Sequence, residues 1–134
     1  MSEVHYLLDT SALLTLIEDE EGSDRVEAIL REENTVLPWV VLLEVYYISL
    51  QEQGEQAADQ RLAMLKQVAR TILWHADEPT LLQAARFKAR HRISFADAII
   101  SAFAVQNEAI LVHKDPEYET LAGQVNMEAL PYKV

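Results

Sequence analysis

Apolar residues along the chain form short runs that alternate with longer segments of helical periodicity. Within the runs, apolar and polar positions do not alternate, which is typical of strands buried on both faces of a sheet. Strands are predicted at residues 4–8, 35–38, 71–74 and 109–113, with a fifth, edge strand at 127–130. Helices are predicted from 12 to about 17, from 23 or 24 onward, from 40 to about 53, from 56 to 68, from 78 to about 91 and from 95 to about 107, with a short helix at 116–121.

Strands that alternate with helices predict an α/β fold with a central, mainly parallel sheet of about five strands, flanked by helices on both faces. The sequence contains no internal repeat and no linker, so residues 1–134 are expected to form a single domain. In sheets of this kind, ligands bind beyond the carboxyl ends of the strands. That rim of the sheet is therefore where a functional site is expected.

Four acidic residues interrupt or follow the apolar runs. Asp9 follows the first strand and Asp115 the fourth, whereas Glu44 and Asp97 lie near the starts of helices. An ionised carboxylate in apolar surroundings is costly unless it is paired or binds a metal. Lys114 is the only basic residue that adjoins any of the four. Because all four segments can reach one rim of the sheet, we expect the carboxylates to converge on a shared divalent cation.

Each of these acids also has a purely structural interpretation. Asp9 is suited to cap the helix that follows it, and Glu44 can lie on an exposed helix face. Asp97 occupies the third position after Ser94, where an acid can close a capping box. Asp115 has the surroundings of an ordinary turn residue. The joint pattern is more specific than any of its members.

Composition narrows the chemistry that such a site can perform. The chain has no cysteine, which excludes disulfides, thiolate metal sites and a cysteine nucleophile. Carboxylates suit hard cations such as Mg2+, which promote phosphodiester cleavage by activating water and offsetting charge on phosphoryl oxygens. The sequence shows no signal-peptide pattern and no apolar run of about 20 residues, so a cytoplasmic protein without a membrane segment is expected.

The net charge of −11 argues against a nucleic-acid partner when it is taken alone. Its distribution changes that conclusion, because 14 of the 22 acidic residues lie in residues 1–60 and seven of the 11 basic residues lie in residues 61–92. A divalent cation also inverts the local charge of an acidic site. The stretch 86–92 is the best candidate to hold an RNA backbone, although it is equally well explained as a solvated helix end. The acidic excess fits a basic partner protein equally well.

The sequences DTSALL at 9–14, SFADA at 94–98 and VHKD at 112–115, together with Glu44, resemble PIN-domain ribonucleases. Within that family the chain is most similar to the toxins of VapBC-type toxin–antitoxin pairs, and the resemblance runs from residue 4 to about 130. It implies a Mg2+-dependent endoribonuclease, with Mn2+ as an alternative metal, whose acidic quartet is Asp9, Glu44, Asp97 and Asp115. Asp9 and Asp97 are the firmest expected metal ligands, Asp115 is close behind, and Glu44 completes the site directly or through water.

The same resemblance implies further roles and partners. Thr10 or Ser11 is expected to orient Asp9 or a metal-bound water, with helix capping as the alternative. An antitoxin protein and a homodimer are implied as partners. The family often has Thr or Ser where this chain has His113, which is expected to be a partly buried residue at a strand end. Glu117 is expected to be either an auxiliary acid of the site or a first-turn residue of a helix, and the second interpretation is favoured.

Two other classes of function use some of the same residues. An aspartyl-phosphate enzyme with Asp9 as nucleophile requires a second acid two residues later, where this chain has Ser11. A non-catalytic, receiver-like or PIN-like domain that only binds partners is the other alternative. A receiver would use Lys114 and an acceptor such as Asp77, but the acidic pair that it needs beside the first strand is missing.

Overall fold

The fold is a single five-stranded parallel sheet with helices on both faces, here in a computed structural model that describes residues 4–134. The strands follow the order β3-β2-β1-β4-β5 across the sheet. They are β1 (His5–Leu8), β2 (Asn34–Pro38), β3 (Thr71–Leu73), β4 (Ala109–His113) and β5 (Met127–Ala129). The first strand is therefore central, and the last strand in sequence lies at one edge.

The register of the central strands brings two predicted site segments together. In β1, Leu7 pairs with Val36 of β2 on one side and with Leu111 of β4 on the other. The backbone N–H of Asp9 donates to the carbonyl of Val112 at 3.1 Å, which extends the β1–β4 pairing by one residue. Because both strands run in the same direction, their carboxyl ends open onto the same rim.

Six α-helices and one 3-10 helix connect the strands of the described chain. They are α1 (Thr10–Ile17), α2 (Ser23–Glu32), α3 (Trp39–Gln53), α4 (Glu55–Val68), α5 (Glu78–Arg90), α6 (Phe95–Gln106) and the 3-10 helix Pro116–Leu121. Helices α3 and α4 meet at Gly54, whose φ of 96° lies in the left-handed region that glycine adopts without strain. The core lies between sheet and helices and includes the fully buried residues Leu7, Leu13, Ile29, Ile100, Leu111 and Leu121.

The predicted α/β class and the five strands are confirmed, and the boundaries differ by one or two residues. The predicted strands include Val4, Trp74 and Leu130, which lie just outside β1, β3 and β5. Val4 and Trp74 are exposed, whereas Leu130 is buried. The short helix at 116–121 is a 3-10 helix, in which each turn contains fewer residues than in an α-helix. Among the helices of residues 4–134, none is both long and apolar enough to cross a bilayer.

Candidate active site

Asp9 is the most buried of the four predicted acids, with only 2% of its surface exposed. It is the N-cap of α1, and its Oδ1 accepts a hydrogen bond from the backbone N–H of Ala12 at 2.8 Å. Ser11 Oγ lies 2.7 and 2.9 Å from its two carboxylate oxygens. Asp9 therefore caps the helix as predicted, and its carboxylate stays at the rim beyond β1.

The hydroxyls after Asp9 hold side chains of the site and do not cap α1. Ser11 Oγ, which donates to Asp9, also accepts a hydrogen bond from the backbone N–H of Lys114 at 2.8 Å. Thr10 Oγ1 donates to Glu44 Oε1 at 2.6 Å. The predicted alternative of capping by Thr10 or Ser11 is therefore wrong, because Asp9 itself performs that role.

Glu44 lies on the sixth residue of α3 and is half-buried, not enclosed by the apolar residues beside it in sequence. Those neighbours separate on the helix: Val45 is buried in the core, whereas 51% of Leu43 is exposed. Successive helix residues point in directions about 100° apart, so Glu44 faces the rim although apolar residues adjoin it in sequence. The side chain is instead fixed by Thr10 across the rim.

Asp97 occupies the first turn of α6, but its carboxylate does not close a capping box. Ser94 Oγ accepts from the backbone N–H of Asp97 at 3.1 Å, which is the expected N-cap contact. The reciprocal acceptor is Glu117, whose Oε1 accepts from the Ser94 N–H at 2.6 Å. The Asp97 carboxylate is thereby left free for the site, where its Oδ1 accepts from the Tyr118 hydroxyl at 2.9 Å.

Asp115 is the half-buried N-cap of the 3-10 helix and accepts from the backbone N–H of Glu117 at 2.9 Å. Its own N–H donates to Nδ1 of His113 at 3.2 Å. His113 lies at the end of β4, as predicted, but is almost wholly buried instead of partly buried, and burial lowers its pKa. The neutral imidazole therefore uses Nδ1 as an acceptor that helps to fix the backbone of Asp115.

The carboxylates act on one another electrostatically, with Asp97 at the centre of the group. Burial, followed by repulsion from Asp97, raises the pKa of Asp9 to about 7, against the lowering effect of its hydrogen bonds. Burial, followed by repulsion from Asp115 and Glu44, raises the pKa of Asp97 to about 6. Each of the four predicted acids is thus within electrostatic reach of at least one other.

No cation balances this charge among residues 4–134. Lys114, the adjoining base in sequence, points away: its Nζ donates to the carbonyl of Glu21 at 2.7 Å and lies 3.8 Å from Glu20 Oε1. The ion pairs of the described chain involve none of the four predicted acids. A cluster of uncompensated carboxylates is costly, and this cost is relieved when a divalent cation is bound.

The donor set fits such a cation. One oxygen each from Asp97, Asp115 and Glu117 lie within 4.8 Å of one another, close enough to share an ion. Asp9 and Glu44 lie outside this closest group and act on Asp97 through charge. All of these ligand atoms are carboxylate oxygens, which hard divalent ions prefer.

Two further residues belong to the site. Glu117, for which the sequence favours a first-turn helix position over an auxiliary acid, lies with the closest carboxylates and accepts from Ser94. Tyr118 is not predicted from the sequence. The available signal was its position three residues after Asp115 behind a proline, where one turn of helix returns a side chain to the rim.

The alternative phosphoacceptor is engaged elsewhere in the fold. Asp77 caps α5, and its Oδ1 accepts from both the N–H and the hydroxyl of Thr80, at 3.0 and 2.7 Å. Lys114, which a receiver would use, is bonded to the carbonyl of Glu21. Neither residue therefore has the free side chain that the receiver interpretation requires.

Comparisons with known proteins identify the family. Residues 6–124 match the family model of the PIN domain. Comparison by sequence with curated proteins gave no match. Solved structures of other proteins share the fold. VapBC2 from Rickettsia felis, bound to a promoter DNA fragment, has a TM-score of 0.77 at 13% identity and covers 96% of this chain and 100% of its own.

VapBC-1 from Haemophilus influenzae has a TM-score of 0.74 at 16% identity, over 94% of this chain and 98% of that one. VapC20 from Mycobacterium tuberculosis, a sarcin–ricin loop cleaving toxin, has a TM-score of 0.69 at 19% identity, over 87% of this chain and 95% of that one. At these identities the structures show a common fold, and the family model covers most of the sequence. The chain belongs to the PIN-domain family.

Proposed function

We propose that this protein is a metal-dependent endoribonuclease and the toxin of a toxin–antitoxin pair. The observation that carries the proposal is the group of carboxylates around Asp97, which has no cationic partner among the described residues. Membership of the PIN-domain family and the fold shared with VapC toxins support it. The structural relative that cleaves the sarcin–ricin loop favours RNA as the substrate class.

The proposed cofactor is Mg2+, with Mn2+ as an alternative. Asp9, Asp97 and Asp115 are the proposed ligands, and Glu44 completes the site directly or through water. When bound, such an ion supplies an activated water and offsets negative charge on the phosphoryl oxygens. The requirement for oxygen ligands is met by the carboxylates of this rim, and no cysteine is present to favour a softer metal.

Residues around the ligands hold them in place. Ser11 and the N–H of Ala12 fix the Asp9 carboxylate, and Thr10 fixes that of Glu44. Hydrogen bonds of this kind orient metal ligands before the ion arrives, which lowers the cost of binding. His113 does the same for the backbone of Asp115.

The end of α5 is the proposed contact for the RNA backbone. Arg86, Arg90 and Arg92 are exposed, and no ion pair in residues 4–134 uses them. Arg92 lies two residues before Ser94, which is tied to Glu117 of the acidic group. A phosphate held by Arg92 would therefore lie near the carboxylates, and Arg86 and Arg90 would hold the backbone farther along α5.

A basic antitoxin is the proposed partner at the acidic rim. A groove of about 550 Å³ beside Asp115 has more acids than bases in its lining: Glu18, Glu20 and Glu52 against Lys114 and Lys133. Both lysines pair with Glu20, which leaves Glu18, Glu52 and Asp115 for a basic partner. Tyr47, which also lines this groove, is 42% exposed on α3. An arginine from the partner would replace the charge of the metal at the carboxylates. Because the proposed substrate is RNA and the proposed partner is an antitoxin, we also propose that the protein is cytoplasmic.

A homodimer is proposed at a different surface. An apolar groove of about 550 Å³ between α5 and α6 is lined by Trp39, Leu81 and Phe95, and its lining is almost free of charge. Leu81 and Phe95 are 61% and 72% exposed. A two-fold interface places the same patch of both copies in contact. Two apolar patches can pack in this way, whereas two acidic patches would repel each other.

The direct test is cleavage of structured RNA by the purified protein with Mg2+ or Mn2+. We expect Asp9→Asn and Asp97→Asn each to abolish cleavage, and EDTA to abolish it in the parent. Asp59→Asn is the matched control, because Asp59 is an exposed acid on α4 that only accepts from Tyr46. If both site variants cut as fast as the parent, the site assignment is wrong.

The antitoxin is tested separately, by co-expression with a small protein encoded beside this gene. We expect the two proteins to co-purify.

A further inference from the structure

Tyr118 is a fully buried aromatic residue whose hydroxyl ends at the acidic group. Its side chain has no exposed surface. The hydroxyl donates to Asp97 Oδ1 at 2.9 Å and also interacts with the carboxylate of Asp9. A phenol has a single proton to donate, and here it is directed at Asp97, with the carboxylate of Asp9 beside it.

The backbone of Tyr118 is tied to a third predicted ligand. Its N–H donates to the carbonyl of Asp115 at 3.2 Å, one turn earlier in the 3-10 helix. Its ring packs against His113, with ring centroids 4.8 Å apart, and His113 accepts from the Asp115 N–H. One residue thus joins the segment that carries Asp115 to the carboxylate of Asp97.

The chemistry of a phenol suits this position. A lysine or arginine would supply positive charge and so compete with a metal ion for the carboxylates. A phenylalanine would leave the half-buried Asp97 carboxylate without this fixed donor. A neutral hydroxyl fixes one oxygen of Asp97 and leaves both the negative charge and the other oxygen for the ion.

We propose that Tyr118 is a positioning residue that orients Asp97 and Asp9 to receive the divalent cation. The inference rests on the proposed function, since it assumes that these carboxylates bind a metal. Hydrogen bonds to metal ligands typically contribute 10–100-fold to metal affinity. Tyr118→Phe removes the hydroxyl and keeps the buried ring, so it isolates this contribution.

The experiment is a calorimetric Mn2+ titration of the parent, Tyr118→Phe, Asp97→Asn and Tyr46→Phe. We expect Tyr118→Phe to weaken Mn2+ binding about 10-fold, while its melting temperature without metal stays near that of the parent. Tyr46→Phe is the matched control, because it removes a phenol that also donates to a carboxylate, that of Asp59 at 2.6 Å, on the exposed surface. Its Mn2+ affinity should equal that of the parent.

The outcomes separate this inference from the proposed function. If the parent binds no Mn2+, the proposed function fails. If the parent binds Mn2+, Asp97→Asn does not, and Tyr118→Phe binds Mn2+ as tightly as the parent, only the role of Tyr118 is overturned.

Should Tyr118→Phe fail to fold, the role of Tyr118 is tested in the parent by the change in tyrosine absorption on adding Mg2+. A saturable signal that is absent in Asp97→Asn supports the role, and a spectrum without change overturns it.

Discussion

At the scale of single residues, Asp9 is a carboxylate in surroundings that disfavour its negative charge. This carboxylate is almost wholly buried, and burial raises its pKa from 3.8 to about 7. The folded state therefore binds its proton more tightly than the unfolded state does. Protonation of Asp9 therefore stabilises the folded state. This stabilisation is fully present below pH 4 and is lost as the pH rises toward 7. Asp97, with its pKa raised to about 6, acts in the same direction.

We predict that the metal-free protein loses stability between pH 4 and pH 8 and that Asp9→Asn reduces this loss. A pKa difference of one unit corresponds to about 1.4 kcal/mol, which limits the effect of Asp9 to roughly 4 kcal/mol. After allowing for relaxation around the buried charge, we expect Asp9→Asn to be about 2 kcal/mol more stable than the parent at pH 8. Urea unfolding in EDTA at several pH values measures this.

Addition of Mg2+ at pH 8 provides the control for that prediction. The parent should regain stability with metal, because binding to the folded state alone shifts the unfolding equilibrium. Asp9→Asn should respond far less. A metal-free Asp9→Asn protein that is less stable than the parent at pH 8 would show that Asp9 is not under electrostatic strain.

At the scale of elements, a residue of the 3-10 helix completes the hydrogen bonds at the start of α6. Ser94 caps α6, but the acid that accepts from the Ser94 N–H is Glu117 of the 3-10 helix. This exchange frees the Asp97 carboxylate from helix capping. Glu117 thus has two roles. Its carboxylate accepts a hydrogen bond from Ser94, and it also lies close enough to Asp97 and Asp115 to share a metal ion with them.

Glu117→Gln separates these two roles. The amide oxygen can still accept from Ser94, so we expect the melting temperature without metal to change little. The lost charge should weaken Mn2+ binding several-fold, and less than Asp97→Asn does, since Glu117 is the more exposed acid. Glu119→Gln is the matched control, because Glu119 lies on the same helix but outside the closest carboxylates. A Glu117→Gln protein with parental Mn2+ affinity would limit Glu117 to its structural role.

The elements show where sequence reasoning stops. Strands, helices and the caps Asp9 and Ser94 follow from residues a few positions apart, so the pattern predicts them. The contact of Tyr118 with Asp97 joins residues 21 positions apart, and that of Glu117 with Ser94 spans 23. Such contacts depend on how two elements pack, which periodicity does not encode. The half-exposed setting of Glu44 has the same origin, because its sequence neighbours face other directions.

At the scale of the molecule, two surfaces of opposite character divide the proposed partners. The rim is acidic and continues into the groove beside Asp115, whereas the groove between α5 and α6 is apolar. A chain with a net charge of −11 repels a second copy wherever its acidic surfaces meet. The apolar groove is therefore the surface that we propose for self-association.

We predict that Leu81→Glu converts a dimer into a monomer, because it places a charge where two apolar surfaces meet. Sedimentation velocity at several protein concentrations measures the change. Leu50→Glu, an exposed apolar residue on α3 outside this groove, is the control and should remain dimeric. A parent protein that is monomeric at all concentrations, or a Leu81→Glu protein that stays dimeric, would contradict the assignment of this surface.

The most direct test is a crystal structure grown with Mn2+, with the ion located by its anomalous scattering. The carboxylate group is predicted to hold at least one Mn2+ in contact with oxygens of Asp97 and Asp115, at the short distances of oxygen ligands, about 2.0–2.6 Å. Anomalous density that is absent from this rim, or found only at other surfaces of the protein, would contradict the proposal that these acids tolerate one another by sharing a metal.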